Sequence, residues 1–542
     1  MENKSKNEGL FWSDQLAEQI ISRKKFHYVD REIPKFAEYT VKTSASLSGV
    51  LHIGRLSDTV RGESVAISLR DKGVKVRFIW VAEDMDPFRK IPSGVPAEYS
   101  KYLGMPVTDV PDVEGCHSSY ADHHLEEYFK VIDNFVFTKL EKFSMREEYR
   151  KGSFKPYIKK ILDNVESVKE IQNKYRSNKL GNHYSPWAPI CDNCGKIVTP
   201  RVTDVVDSRV VYTCKDYEFE TTKAVGCKHK GENDPMKGNG KLMWKSEWAS
   251  QWSLWKVVSE GAGKEYQVPN SAWWINGEIS ERIHDYPMPI PIFYEHIMID
   301  NAKMSASLGN VIYPKDWLEV AGPELLRLFY NKRLMTTRSF SWSNLPQLYD
   351  EYDYMAKIYL GKIKLENEKE ELHYKRLFRI SNFNEPEEPL EITFSHAAMI
   401  AQVFSEEKDA VKSMERTGHY KKEFHKRIFE RIRNAKVWLD KYAPDDSKFI
   451  LQKEVSKDLK LSTAQKEAVN KVADAISKKE FTDKELHNEF YNICKPLGLN
   501  TADFFKAAYL VLFNKERGPK LAAFINAIGN EEIIRLFEKA AE

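Results

Sequence analysis

Hydrophobic positions along this chain fall into a few distinct rhythms. From Tyr39 to Ser46 the run YTVKTSAS favours an extended strand. A turn holding Gly49 follows. From near His52 to Lys72, apolar residues then recur at helical spacing, with Leu56, Val60 and Ile67 on one stripe. Gly73, free to take a positive φ, closes that helix. Lys75 to Glu83 (KVRFIWVAE) is almost continuously apolar, as a strand covered on both faces of a parallel sheet must be. Strand, helix and strand make a βαβ unit. Its first turn is a common phosphate site, because unpaired helix N–H groups open there.

Beyond Asp86 the pattern is mixed and helix-rich to about Ile190. Residues 191–243 change character, to cysteines, turn formers and short β-prone pieces such as SRVVYT. The nucleotide-fold pattern resumes near Trp244 and continues past IPIFYEHIMID. SNFNEPEEP, Ser381 to Pro389, cannot build a packed element and reads as a linker. Phe394 to Glu542 is almost all helix, and no internal repeat is visible.

A chain of 542 residues is too long for one core, so several domains are expected. With 42% hydrophobic and 30% charged residues it has the composition of a soluble globular protein. The net charge of +3 gives no global basic field, so a nucleic-acid partner would have to be held by local patches. Met1 to Gly9 has no apolar signal core and no long apolar run follows, so a cytoplasmic protein with no membrane association is expected. Four of the six cysteines fall between Cys191 and Cys227, which suits a metal site in a reducing compartment better than a disulfide framework.

Three motifs carry candidate chemistry. Gly49-Val-Leu-His52-Ile-Gly54-Arg55 lies at the first strand-to-helix turn. There His52 can donate to a phosphate oxygen, and Gly54 has no side chain to block a nucleotide. Lys303-Met-Ser305-Ala-Ser307 lies about 250 residues later on a small-residue loop. From it a lysine can neutralise charge as pyrophosphate departs. Cys191-x-x-Cys194 pairs with Cys214 and Cys227 downstream, His229 competing for the last place; four protein ligands leave no open position, so the zinc is structural.

With these motifs the chain resembles the class I aminoacyl-tRNA synthetases, with their HIGH and KMSKS signatures. It is more closely similar to the class I type of lysyl-tRNA synthetase. The similar stretches include FWSDQLAEQII near the start, EDMDPFRKIP at Glu83–Pro92, YLGMPVTDVPD at Tyr102–Asp112 and GCHSSYADHH at Gly115–His124. KLMWKSEWASQW at Lys241–Trp252, KMSASLGNVI at Lys303–Ile312 and the C-terminal Ala507–Gly529 continue the likeness over nearly the whole chain.

The resemblance implies an α/β fold: a Rossmann-type (HUP-like) catalytic domain with a zinc-containing insertion, followed by an all-α anticodon-binding domain. The expected boundaries are 10–85 and 244–312 for the two catalytic halves, and 86–243 for an acceptor-end insertion with its zinc subdomain at 188–240. A stem-contact segment at 313–380, a linker at 381–390 and the helical domain at 391–542 follow. It also implies ATP-dependent attachment of lysine to tRNA(Lys) through a lysyl-adenylate, with Mg2+ accompanying the ATP and a monomer expected. His52, Gly54, Lys303, Ser305 and Ser307 would be catalytic, the first three of them binding ATP.

The implied amino-acid pocket is Ser44, Ser46, Trp244, Glu247 and Tyr266, and it departs from the family's pattern. Ser44 stands for a glycine and Leu47 for a proline. Tyr266 stands for a histidine, Glu247 for an aspartate, and Gln251 for an arginine. Arg55 stands for the asparagine that ends the family's usual HIGN, and Leu308 for the lysine that usually follows the second serine. Glu247 can still pair with an ammonium. The alternatives are a class I paralogue with altered amino-acid specificity and a non-catalytic tRNA-binding paralogue.

Other residues have plainer readings. Trp248 and Trp252 are expected to pack in a core, and the adjacent His123 and His124 to point apart at the surface. Asp84 and Asp86 lie where strand ends meet ligands. Seven basic residues between Lys421 and Lys436 outnumber Glu423 and Glu430, and from them Lys426 and Arg427 are expected to contact tRNA phosphates.

Overall fold

In the computed structural model the described residues are 11–47, 51–92, 94–206, 209–304, 310–383, 385 and 387–542. The chain divides into two compact units. The first comprises Met1–Trp317, Leu326–Phe340 and Leu365–Glu385; the second comprises Leu318–Leu325, Ser341–Lys364 and Pro386–Glu542.

The first unit is built on a five-stranded parallel sheet. Its strands are β1 (Tyr39–Ser46), β2 (Val76–Glu83), β3 (Leu140–Ser144), β4 (Val257–Gly263) and β5 (Ile290–Tyr294). The spatial order is β5-β4-β1-β2-β3. The chain moves outward from β1 to β2 and β3, then returns to the other flank of β1 for β4. The strand order therefore reverses at β1/β4, the switch point at whose carboxyl ends such sheets bind ligands.

Three helices matter to the site: α1 (Trp12–Ser22), α2 (Ile53–Asp71) and α3 (Trp244–Trp255). The expected helix from near His52 to Lys72 is present as α2. Gly73 follows it at φ +80°, in the left-handed region that glycine tolerates. Helix α2 is anchored deep in the unit by Glu63, which accepts from the Phe137 and Thr138 N–H groups and pairs with Arg327 at 2.5 Å, both side chains being fully buried. A further helix, α4 (Glu368–Ser381), ties back through Arg376 to Asp14 and Asp71 at 2.6 and 2.8 Å.

Register matters more than strand identity here. Strand β1 runs in step with β2 from Tyr39↔Val76 to Ser46↔Glu83. Against β4 the register shifts between Thr40 and Val41, and Lys42 then lies opposite Glu260. The tryptophan helix α3 is buried on nearly every side, its serines, Glu247 and Gln251 as well as Trp248, Trp252 and Trp255. The core reading for Trp248 and Trp252 matches their burial, although Trp248 also reaches the edge of the cleft described below.

The second unit is helical over most of its length, including α5 (His425–Lys441). Within it Arg431 pairs with Asp353 at 2.6 Å and donates to the Ile392 carbonyl. No helix among the described residues is long and apolar enough to cross a membrane.

Candidate active site

The chain leaves β1 at Ser46 and enters α2 at Ile53, with His52 in extended geometry as the helix cap. Its Nδ1 accepts the Gly54 N–H at 3.1 Å, satisfying one of the orphan donors of the first turn. The ring proton is therefore on Nε2. Burial, with the Arg55 charge beside it, holds the imidazole pKa down at about 4. His52 is thus a neutral donor at physiological pH, set at the positive end of a helix dipole.

The two distant signatures meet here. A Cβ on Gly54 would lie 2.5 Å from Met304 Cε and 2.8 Å from the His52 ring, so only glycine lets the three pack together. The Ile53 N–H donates to the Ile312 carbonyl at 3.0 Å, fastening the start of α2 to the far end of the second signature. Lys303 is exposed on a short strand paired with Met298, and Asn310 Nδ2 donates to its carbonyl at 3.1 Å. Ser305 and Ser307 lie outside the described residues.

Between these parts opens a cleft of about 960 Å³. Ser44, Ser46, His52, Gly54, Trp244, Tyr266 and Lys303 all line it. Trp244 stacks on Trp248 at 4.7 Å, and Tyr266 meets Trp248 edge-on at 5.1 Å, making one aromatic wall. Below that wall lies a buried polar network. Glu260 accepts Lys42 Nζ at 2.5 Å and the indole N–H groups of Trp248 and Trp252 at 2.9 and 2.6 Å. Gln251 donates to Glu83 at 3.1 Å, and Ser46 to Asp86 at 2.6 Å.

Glu247 is elsewhere. It is fully buried and does not line the cleft; it accepts the Tyr149 hydroxyl at 2.7 Å and pairs with Lys241 at 2.9 Å. Because α3 is buried all round, its sequence pattern does not distinguish cleft-facing from inward-facing polar residues. The two aspartates after β2 also separate. Asp86 lines the cleft, whereas Asp84 is held away from it by Ser144 Oγ at 2.5 Å and the Arg146 N–H at 2.9 Å.

The four cysteines converge. The Sγ atoms of Cys191, Cys194, Cys214 and Cys227 all lie within 4.8 Å of one another. Cys191 and Cys227 are 3.6 Å apart, and Cys194 and Cys214 are 3.7 Å apart. Four thiolates about 2.3 Å from a central zinc would be separated by about 3.8 Å, so the cluster is consistent with a structural zinc. The irregular second half works because Gly226 packs against the Lys215 backbone, where a Cβ would collide, bringing the Cys227 N–H to 3.3 Å from Cys214 Sγ. His229 does not join the cluster; its carbonyl accepts the Cys214 N–H at 2.8 Å.

A second cluster contradicts the surface reading of His123. Its Nδ1 lies 3.2 Å from Asp112 Oδ1 and 3.3 Å from Cys116 Sγ, which in turn is 3.0 Å from His117 Nδ1. Asp112, Cys116, His117 and His123 offer four ligand atoms within 4.8 Å of one another, a donor set suited to a transition metal. The signal was in the sequence: Asp-x3-Cys-His-x5-His has ligand spacing, but adjacent histidines on a helix hide it.

In the second unit Lys426 is exposed on α5, whereas Arg427 is half-buried. Arg427 pairs with Glu387 at 2.7 Å and donates to the Glu388 carbonyl at 2.8 Å.

A parallel nucleotide fold whose switch point carries a His-x-Gly helix cap and an opposing lysine loop is the architecture of the class I aminoacyl-tRNA synthetases. The family profile described as tRNA synthetases class I (K) matches residues 10–384, and the chain belongs to that family. It is 32% identical to a lysine–tRNA ligase of Methanocaldococcus jannaschii, over 97% of this chain and 99% of that one. It is also 32% identical to a lysine–tRNA ligase of Thermococcus kodakarensis, over the same shares. The corresponding enzyme of Methanosphaera stadtmanae is 28% identical over 97% of this chain and 98% of its own length.

Proposed function

We propose that this protein activates lysine with ATP and transfers it to tRNA(Lys). The observation that carries the reading is the meeting of His52, Gly54 and the Lys303 loop over one cleft, in a chain matched end to end by lysine–tRNA ligases.

The lysine carboxylate attacks the α-phosphorus of ATP, the bond to the bridging oxygen breaks, and pyrophosphate leaves. His52 Nε2–H and the α2 N-terminus receive phosphate oxygens, and Lys303 offsets the charge that grows on the departing pyrophosphate. Mg2+ bound with the ATP would offset part of the triphosphate charge. A ribose hydroxyl of the terminal adenosine then attacks the mixed anhydride and releases AMP. Neither step needs a covalent protein nucleophile; positioning and charge stabilisation suffice. Ser305 and Ser307 complete the lysine loop in this reading, and Ser44, Ser46, Trp244 and Tyr266 shape the amino-acid side.

The Cys191/Cys194/Cys214/Cys227 cluster holds a structural zinc. We assign acceptor-end contact to the insertion at 86–243 and anticodon binding to residues 391–542. Of Lys426 and Arg427, Lys426 is the better phosphate contact, because Arg427 is engaged by Glu387 and Glu388.

The departures at Ser44 and Tyr266 give a second reading, a synthetase of altered amino-acid specificity. ATP–pyrophosphate exchange with each amino acid in turn, with and without tRNA, separates the two. Exchange with lysine alone supports the lead, and exchange with another amino acid alone overturns it.

A further inference from the structure

Five carboxylates line the cleft: Asp58, Glu83, Asp86, Glu260 and Glu265. Four of them keep no buried oxygen without a hydrogen-bond partner. Glu260 has Lys42 and two indoles, Glu83 has Gln251, Asp86 has Ser46, and Glu265 lies 3.2 Å from His296 Nε2.

Asp58 differs from the other four. It sits on α2, one turn beyond Gly54, only 6% exposed, and its Oδ1 accepts no hydrogen bond. The Tyr294 hydroxyl and the Ser44 backbone support the carboxylate, yet no ion pair reaches it among the described residues. That oxygen fills the space a Cβ at Gly261 would need, so only glycine at 261 lets it sit there. Two of the nearby cations are held by other groups. Lys42 is held by Glu260, and Arg61 donates to the Tyr330 carbonyl and lies over the Tyr294 ring at 4.7 Å. Burial, with the Glu260 charge adding to it, lifts the Asp58 carboxyl to about 6, so it still ionises near neutrality. A buried carboxylate without an ion pair of its own is costly. A ribose hydroxyl could hydrogen-bond to it but would leave the charge uncompensated; an ammonium supplies both.

We propose that Asp58 receives an ammonium group of the amino-acid substrate, a role for which Glu247 is unavailable. This rests on the reading of lysine as substrate. Lysine brings two such groups, α and ε, of the same chemistry.

The test is Asp58→Asn in the full-length chain, which keeps the shape and removes the charge. In ATP–pyrophosphate exchange the KM for lysine should rise about 10–100-fold, while the KM for ATP stays within about twofold. An unmoved lysine KM, or an ATP KM that rises with it or alone, overturns the proposal. Competitive inhibition distinguishes the two groups. Norleucine lacks the ε-ammonium and 6-aminohexanoate lacks the α-ammonium. Weakening of 6-aminohexanoate alone assigns Asp58 to the ε group, weakening of norleucine alone to the α group, and movement of neither overturns the role. If Asp58→Asn does not fold, Gly261→Ala displaces the same oxygen and should give the same lysine-selective loss. Exchange of the unsubstituted chain with another amino acid but not lysine overturns the functional reading itself. Exchange with lysine and an unmoved lysine KM in the variant overturns only the role of Asp58.

Discussion

The Lys42–Glu260 pair offers the sharpest test of how the cleft is held. Lys42 is fully buried and Glu260 1% exposed, and their 2.5 Å contact crosses the β1–β4 register. Lys42→Met leaves the buried Glu260 with two indole donors but no cation. Removing one partner of such a pair costs about 3–5 kcal/mol, more than roughly 10²-fold in the unfolding equilibrium. Glu260→Gln should cost less, because Lys42 then still has Glu83 at 3.8 Å. The double variant Lys42→Met/Glu260→Gln carries no buried charge from the pair. It should fall short of the summed singles by about 2–3 kcal/mol. Urea unfolding followed by tryptophan emission is the assay, since Trp248 and Trp252 donate directly to Glu260. A Lys42→Met cost below about 1 kcal/mol, or strict additivity in the double, would refute the argument.

Three other outcomes are expected. Lys303→Ala should lower the rate of pyrophosphate exchange about 10²–10³-fold with little change in the lysine KM; a loss confined to lysine KM would remove Lys303 from the phosphate side. Metal analysis of protein purified without chelator should find about one zinc per chain, lost in Cys194→Ser; zinc-free protein would leave the four cysteines as free thiols. His52, with its pKa held at about 4, should stay neutral while the same residue in the unfolded chain titrates near 6.5. Its contribution to stability is then fully present above pH 6.5 and lost as pH falls towards 4. An NMR titration in which the His52 ring shifts near pH 6.5 would contradict this.

What could be read from the sequence was what short range encodes. The β1–α2–β2 unit follows from apolar rhythm, with the start of α2 near His52. The Cys191-x-x-Cys194 knuckle needs only neighbouring residues. The pairing of the two signatures was inferred from resemblance, and the Met304–Gly54 contact gives it a physical form.

Tertiary structure decided which polar groups face the cleft and which face inward. A parallel strand or a helix buried on all sides carries no alternation that distinguishes its two faces, so Glu247 could not be separated from Gln251 or Asp58 by pattern. The register shift at Thr40/Val41 is set by packing between strands more than 200 residues apart, and it places Lys42 against Glu260. That pairing ties Lys42 to Glu260 rather than to Asp58. Sequence determined the chemistry on offer; the charge balance of the cleft came from contacts between residues far apart in the chain.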